Sequence, residues 1–141
     1  MGNEAAFDYI EAPFDDVAEE QLPKEGNYPL LIKSVEKQIS ETGRQMVRCY
    51  IEIESTDDQG RPYQGIFHYL VFPNQDDWAD DKEKAQGFIR RVKRFCHAFK
   101  LDISGTKFDP NALPGARAQC LVTLEDYQGD MQPKIKLPRV K

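Results

Sequence analysis

Residues 45–55, QMVRCYIEIES, place an apolar side chain at every second position: Val47, Cys49, Ile51 and Ile53. Met46, Arg48, Tyr50, Glu52 and Glu54 fall between them. A period of two is that of a β-strand with one face in a core and the other toward water. A helix would scatter both sets around its circumference. This segment commits the chain to a sheet that is covered on one side, so the remaining residues must supply neighbouring strands and a cover.

Neighbours are legible on both sides. YPLLIKSVEKQI (28–39) is strand-length and rich in Leu, Ile and Val, with polar residues increasing toward its end. SETGR (40–44) reads as a turn in which Gly43 is free to take positive φ. TDDQGRPYQG (56–65), with Gly60, Pro62 and Gly65, reads as a long hairpin loop. IFHYLVF (66–72) is a third strand, apolar on both faces apart from His68, and Pro73 ends it. Further on, ARAQCLVTLEDY (116–127) alternates again, with Ala118, Cys120, Val122 and Leu124 on one side. QGD (128–130) is a turn, and MQPKIKLPRV (131–140) is a last strand carrying Ile135, Leu137 and Val140.

The cover comes from residues 74–100. Phe88, Val92, Phe95 and Phe99 recur at helical spacing, flanked by Ala85, Ile89 and Cys96. Asp76, Asp77, Asp80, Asp81 and Glu83 crowd the start and bases the end, which suits the helix dipole. The order is three strands, one helix, two strands. Apart from the helical connection the links are short, so the strands should be mostly antiparallel. The predicted class is mainly β: a five-stranded antiparallel Greek-key barrel, or OB-fold, with one α-helix between strands 3 and 4. A generic α+β sandwich is the competing arrangement.

Charge divides the chain. Residues 1–25 hold eight acids and one base, and subtracting that net −7 from the overall −5 leaves +2 for residues 26–141. The domain reading follows the same line: residues 1–21 form an acidic, aromatic N-terminal extension, and residues 22–141 the OB-fold domain. Two basic stretches stand out in the body, RRVKR (90–94) and PKIKLPRVK (133–141). At 40% hydrophobic and 30% charged residues the composition is that of a globular protein, not a disordered or fibrous one. With no run of 18 apolar residues, no membrane partner is expected. The N-terminus lacks a basic segment followed by an apolar one, so no signal peptide is read there. The three cysteines, Cys49, Cys96 and Cys120, are odd in number and widely spaced, which points to a reduced, cytoplasmic protein.

LPKEGNYPLLIKSVEKQISETGRQMVRCYIEIES, GRPYQGIFHYLVF, the RRVKRFCHAFKL helix and GARAQCLVTLEDYQGD with its basic ending resemble, as an order of blocks, a family of bacteriophage single-stranded-DNA-binding proteins of OB-fold type, formerly a domain of unknown function. The resemblance runs from residue 22 to residue 141. It departs at His68 and Tyr69, where a smaller polar pair is expected, and the acidic leader lies outside it. It implies binding of single-stranded DNA in phage replication or recombination, in the cytoplasm of the infected bacterial host.

Single-strand binding needs cations for phosphates and aromatic platforms for bases, with stacking worth about 1–3 kcal/mol per base. OB-folds commonly use strands two and three and the flanking hairpin loops. On that basis the candidate DNA-binding residues are Arg44, Arg48, Tyr50, Arg61, Tyr63, Phe67, Tyr69, Tyr127, Lys134 and Lys136. Each has a plainer reading beside it. Phe67 and Tyr69 could belong to the core, and RRVKR could be an ordinary solvated helix face. Glu52 and Glu54 cut against a uniformly basic groove.

The leader, DYIEAPFDDVAEE (8–20), resembles in composition the acidic, aromatic tails with which bacterial single-stranded-DNA-binding proteins recruit partners. Phe7, Tyr9, Phe14, Asp15 and Asp16 are the candidate contacts to replication or recombination proteins. The acids could instead lie over the basic groove and compete with phosphate, or the apolar residues could pack on the barrel as an added arm. The alternative function is a protein-interaction or assembly module working through this segment. Barrels of this type often pair through exposed strands, so a homodimer is a further possible partner.

Catalytic and metal chemistry find little support. Cys96-His97 and His68 lack paired zinc spacing, and no phosphate-cradling glycine loop is present. Asp76/Asp77 and Asp80/Asp81 are explained by the first turn of a helix. No enzyme activity, cofactor or metal is expected.

Overall fold

The computed structural model describes residues 6, 8–103 and 105–139. Five antiparallel strands form one sheet in the order β3-β2-β1-β4-β5. They are β1 (Gly26–Ile39), β2 (Gln45–Ile53), β3 (Ile66–Val71), β4 (Arg117–Tyr127) and β5 (Asp130–Lys136). Two helices, α1 (Gln75–Asp80) and α2 (Lys82–Ala98), lie between β3 and β4. The protein is mainly β, as the residue pattern predicts.

The 14-residue β1 serves two neighbours. Its first half, Gly26–Leu31, pairs with β4, and Leu30–Ile39 pairs with β2. The register shifts between Ile32 and Ser34. Such a bulge bends a strand and adds twist. Here it falls where β1 passes from one partner to the other. Gly43, at φ +81°, closes the β1–β2 turn in a conformation that costs a residue without Cβ little.

Alternation sets the buried face. Val47, Cys49, Ile51 and Ile53 of β2 are buried, together with Leu30, Ile32, Ile66, Leu70, Cys120, Val122 and Ile135. Helix α2 covers them with Val92, Phe95, Cys96 and the following Phe99. Burial pushes the Cys49 thiol up to about 12 and the Cys96 thiol up to about 11. Both stay protonated near neutrality and behave as small hydrophobes. Phe95 is fully buried, and truncating such a ring to Ala costs about 3–5 kcal/mol. Phe88 departs from the expected stripe: it is only half-buried, with the guanidinium carbons of Arg44 and Arg91 at 5.1 and 5.5 Å from its ring centre.

The expected single helix is two. Asn74 caps α1 by accepting from the Asp77 amide, while Asp77 accepts from the Asn74 amide, a reciprocal capping box. Asp81 then interrupts the helical run at φ −152° and caps α2 by accepting from the Lys84 amide at 3.1 Å. The clustered acids signal two starts, not one. At the far end Leu101 donates to Cys96 and Lys100 to His97, with Lys100 left-handed at φ 57°. This is a Schellman closure without glycine.

The last strand is shorter than expected. β5 ends at Lys136, so Leu137 lies beyond it, and Val140 falls outside the described residues. β3 and β5, the two edges of the sheet, approach within 8 Å between Cα atoms, and no ladder joins them among the described residues. Among the described residues no helix is long and apolar enough to cross a membrane.

Candidate nucleic-acid interface

Period-two geometry turns Arg48 and Tyr50 of β2 away from the core, and Phe67 and Tyr69 of β3 likewise. The β2–β3 register sets Arg48 opposite Tyr69 and Tyr50 opposite Phe67. All four therefore share one patch of the outer face. Phe67 and Tyr69 remain 50% and 48% exposed, so neither is a core residue. The Tyr50 and Phe67 rings meet at 5.2 Å, tilted by 46°. The Arg48 guanidinium carbon lies 4.1 Å from the centre of the Phe67 ring, a cation–π contact that holds the cation beside the aromatic. Arg48 Nε is buried and unpartnered among the described residues.

Acids are present on the same face. Glu36 stands 3.5 Å from Arg48, and Glu52 stands 3.5 Å from Lys33. Both carboxylates are well exposed, and such pairs contribute at most about 1 kcal/mol, so an incoming phosphate competes with them easily. Gly65 makes room for the platform: a Cβ there would sit 2.4 Å from the Tyr50 ring.

The other expected contacts sit elsewhere. Arg44, in the β1–β2 turn, is held by Asp77 through Nε at 2.8 Å and Nη2 at 2.7 Å. Arg61 is held by Asp57 at 2.8 Å inside the β2–β3 loop. Tyr63 packs edge-on against Tyr28 at 5.4 Å, and burial raises its phenol above the ordinary value. Each of these three side chains is engaged in a contact within the chain. Tyr127 is exposed at the tip of the β4–β5 hairpin, apart from the patch. Asp126 and the Gly129 amide close that hairpin.

Lys134 and Lys136 lie on β5 across a cleft from β3. The cleft has a volume of about 600 Å³ and is also lined by His68, Tyr69, Arg91, Arg94 and Thr123. The sequence pattern reads Arg91 and Arg94 as part of a solvated helix face, whereas the structure sets both on this cleft. Their signal in the sequence is a spacing of three residues beside the buried Val92 and Phe95. His68, on the inner side of β3, stacks on Phe95 at 4.7 Å and 9°. Burial pushes its pKa down to about 4, so the ring is neutral near neutrality.

In the leader, Tyr9, Ile10, Phe14 and Val17 are each at least two-thirds exposed, so the packed-arm reading does not hold for them. Asp15 and Asp16 are exposed in a single 3-10 turn, Phe14–Asp16. Phe7 lies outside the described residues. Ordered contact with the sheet begins at Gln21, which accepts from the Gln64 amide and donates to Pro62, both at 2.8 Å. Compared with known proteins, the chain matches no family model and no curated protein sequence.

Proposed function

We propose that this protein binds single-stranded DNA with little sequence preference through the outer face of β2 and β3. The observation that carries the reading is the Arg48–Tyr50–Phe67–Tyr69 patch, where cross-strand pairing gathers three aromatics and a cation on solvent-facing sheet. Stacking on such rings tolerates every base, and Arg48 adds charge beside them. No catalytic step is part of the reading. We read the sheet as the OB type because β1 is bonded to both β2 and β4 while the free edges β3 and β5 approach each other. The resemblance to phage single-stranded-DNA-binding proteins supplies the setting of replication or recombination.

The test is fluorescence anisotropy with a labelled oligo-dT of about 30 nucleotides, several OB site sizes long, against duplex of equal length. The expected result is salt-sensitive binding of the single strand and far weaker binding of the duplex. Tyr50→Ala and Phe67→Ala should each raise Kd roughly 5- to 100-fold, the equivalent of one lost stack. No binding at low salt, or equal binding to duplex, overturns the proposal.

The exposure of Tyr9, Ile10, Phe14 and Val17 favours a second role, an acidic and aromatic docking segment for a protein partner. Apolar side chains this exposed on an acidic segment suit a binding site better than a packed arm.

A further inference from the structure

We propose that the cleft between the β3 and β5 edges is a phosphate track for the same single strand, walled by Arg91 and Arg94 of α2 and by Lys134 and Lys136 of β5. This inference rests on the single-strand reading above and extends it to a surface away from the stacking patch. Three observations converge on it. The four cations come from two elements far apart in the chain, yet they border one cleft. Among the lining residues no side chain is acidic, and the one ion pair there, Lys134 to Glu125 at 3.6 Å, is exposed on both sides and weak. Thr123, whose Oγ1 is buried with no hydrogen-bond partner among the described residues, lines the same cleft as a neutral side chain.

Tyr69 joins the two surfaces. Its side chain is half exposed opposite Arg48, and the residue also lines the cleft beside Arg91. A strand whose bases stack on Phe67 and Tyr69 can turn over Tyr69 and lay its next phosphates between α2 and β5. Cations bordering such a cleft meet the sugar–phosphate backbone and need no base recognition. The specificity expected is therefore for flexible single strands of either sugar, with oligo-dT and oligo-rU responding alike.

The experiment measures Kd for oligo-dT, oligo-rU and duplex DNA across a salt series. It compares wild type, Arg91→Gln/Arg94→Gln, Lys134→Gln/Lys136→Gln, and a control pair, Arg90→Gln/Lys93→Gln, whose residues are exposed on α2 but do not line the cleft. Each single-strand phosphate contact contributes about 0.7 to the slope of log K against log salt. Each cleft pair should lower the slope by about 1.4 and weaken binding on the order of ten-fold near 0.1 M salt, with melting temperature unchanged. The control pair should do much less. If the cleft pairs retain wild-type slope while Tyr50→Ala still weakens binding, the track is refuted and the stacking face stands. If the control pair lowers the slope as much, the effect is net charge and the cleft is refuted. If duplex binding responds as strongly as single-strand binding, the track does not select a flexible strand and the inference fails. Absence of any single-strand binding by wild type overturns both proposals together.

Discussion

Arg44 in the β1–β2 turn grips Asp77 in α1 with two parallel hydrogen bonds of 2.7 and 2.8 Å, across 33 positions of chain. The pair does three things at once. It anchors the turn, orients the carboxylate that accepts from the Asn74 amide at 2.9 Å, and places a guanidinium against Phe88. Two parallel charge-assisted bonds fix both partners in orientation as well as distance.

Arg44→Ala and Asp77→Asn should each lower the melting temperature, and the double variant should be little worse than either, because both remove one shared unit. Single-strand affinity measured well below the melt should change by no more than one lost charge. The Arg44 guanidinium, with the Asn74 amide, holds the Asp77 carboxyl well below the usual carboxylate range. A carboxylate lowered in the folded state stabilises above its unfolded pKa and loses that contribution as pH falls. The contribution should thus persist down to roughly pH 4 and fade below it.

His68 gives a second, separate pH window. Its folded pKa is about 4, against about 6.5 for a free imidazole. Between those values the unfolded chain takes up a proton that the buried ring refuses, so stability falls as pH drops. From pH 7.5 to pH 5 the loss should be roughly 2 kcal/mol. Urea unfolding at the two pH values should show it in wild type and not in His68→Phe. Equal pH dependence in both proteins would show that the imidazole is not the source.

Gly65→Ala tests the platform without touching a stacking residue. The new methyl would meet the Tyr50 ring at 2.4 Å and push it from its place beside Phe67. Single-strand affinity should fall by an amount approaching that of Tyr50→Ala, roughly 5- to 100-fold. The core lies on the other face, so the thermal melt should move little. Unchanged affinity would mean that Tyr50 does not stack where it stands.

Removing residues 1–18 should leave the melting temperature unchanged, since Tyr9 to Val17 stand in solvent. Removing residues 1–25 should lower it, because Gln21 loses its bonds to Pro62 and Gln64 and the fully buried Pro23 is lost. Differential scanning calorimetry of the two truncations compares them directly. A large loss from the shorter deletion would mean that the leader packs after all.

The amino-acid order by itself determined the strands, because period-two alternation in residues 45–55 and 116–127 is enforced locally by side-chain geometry. It likewise determined a covering helix and the outward placement of Arg48 and Tyr50, but left Phe67 and Tyr69 open between core and surface, because β3 is apolar on both faces apart from His68. It marked Asp81 as acidic but not as the break between two helices, since that depends on one backbone conformation. Only tertiary structure decided how closely each cation is held. Arg44 and Arg61 read as equal to Arg48 in sequence, yet a carboxylate grips each of them at 2.7–2.8 Å, while Glu36 stands 3.5 Å from Arg48. The partner of Arg44 lies 33 residues away, a distance no periodicity reaches. In the same way the cleft that joins Arg91 and Arg94 to Lys134 and Lys136 exists only because the sheet brings β3 and β5 together. Local rules fix which way a side chain points; what it meets there is set by the packing of segments distant in the chain.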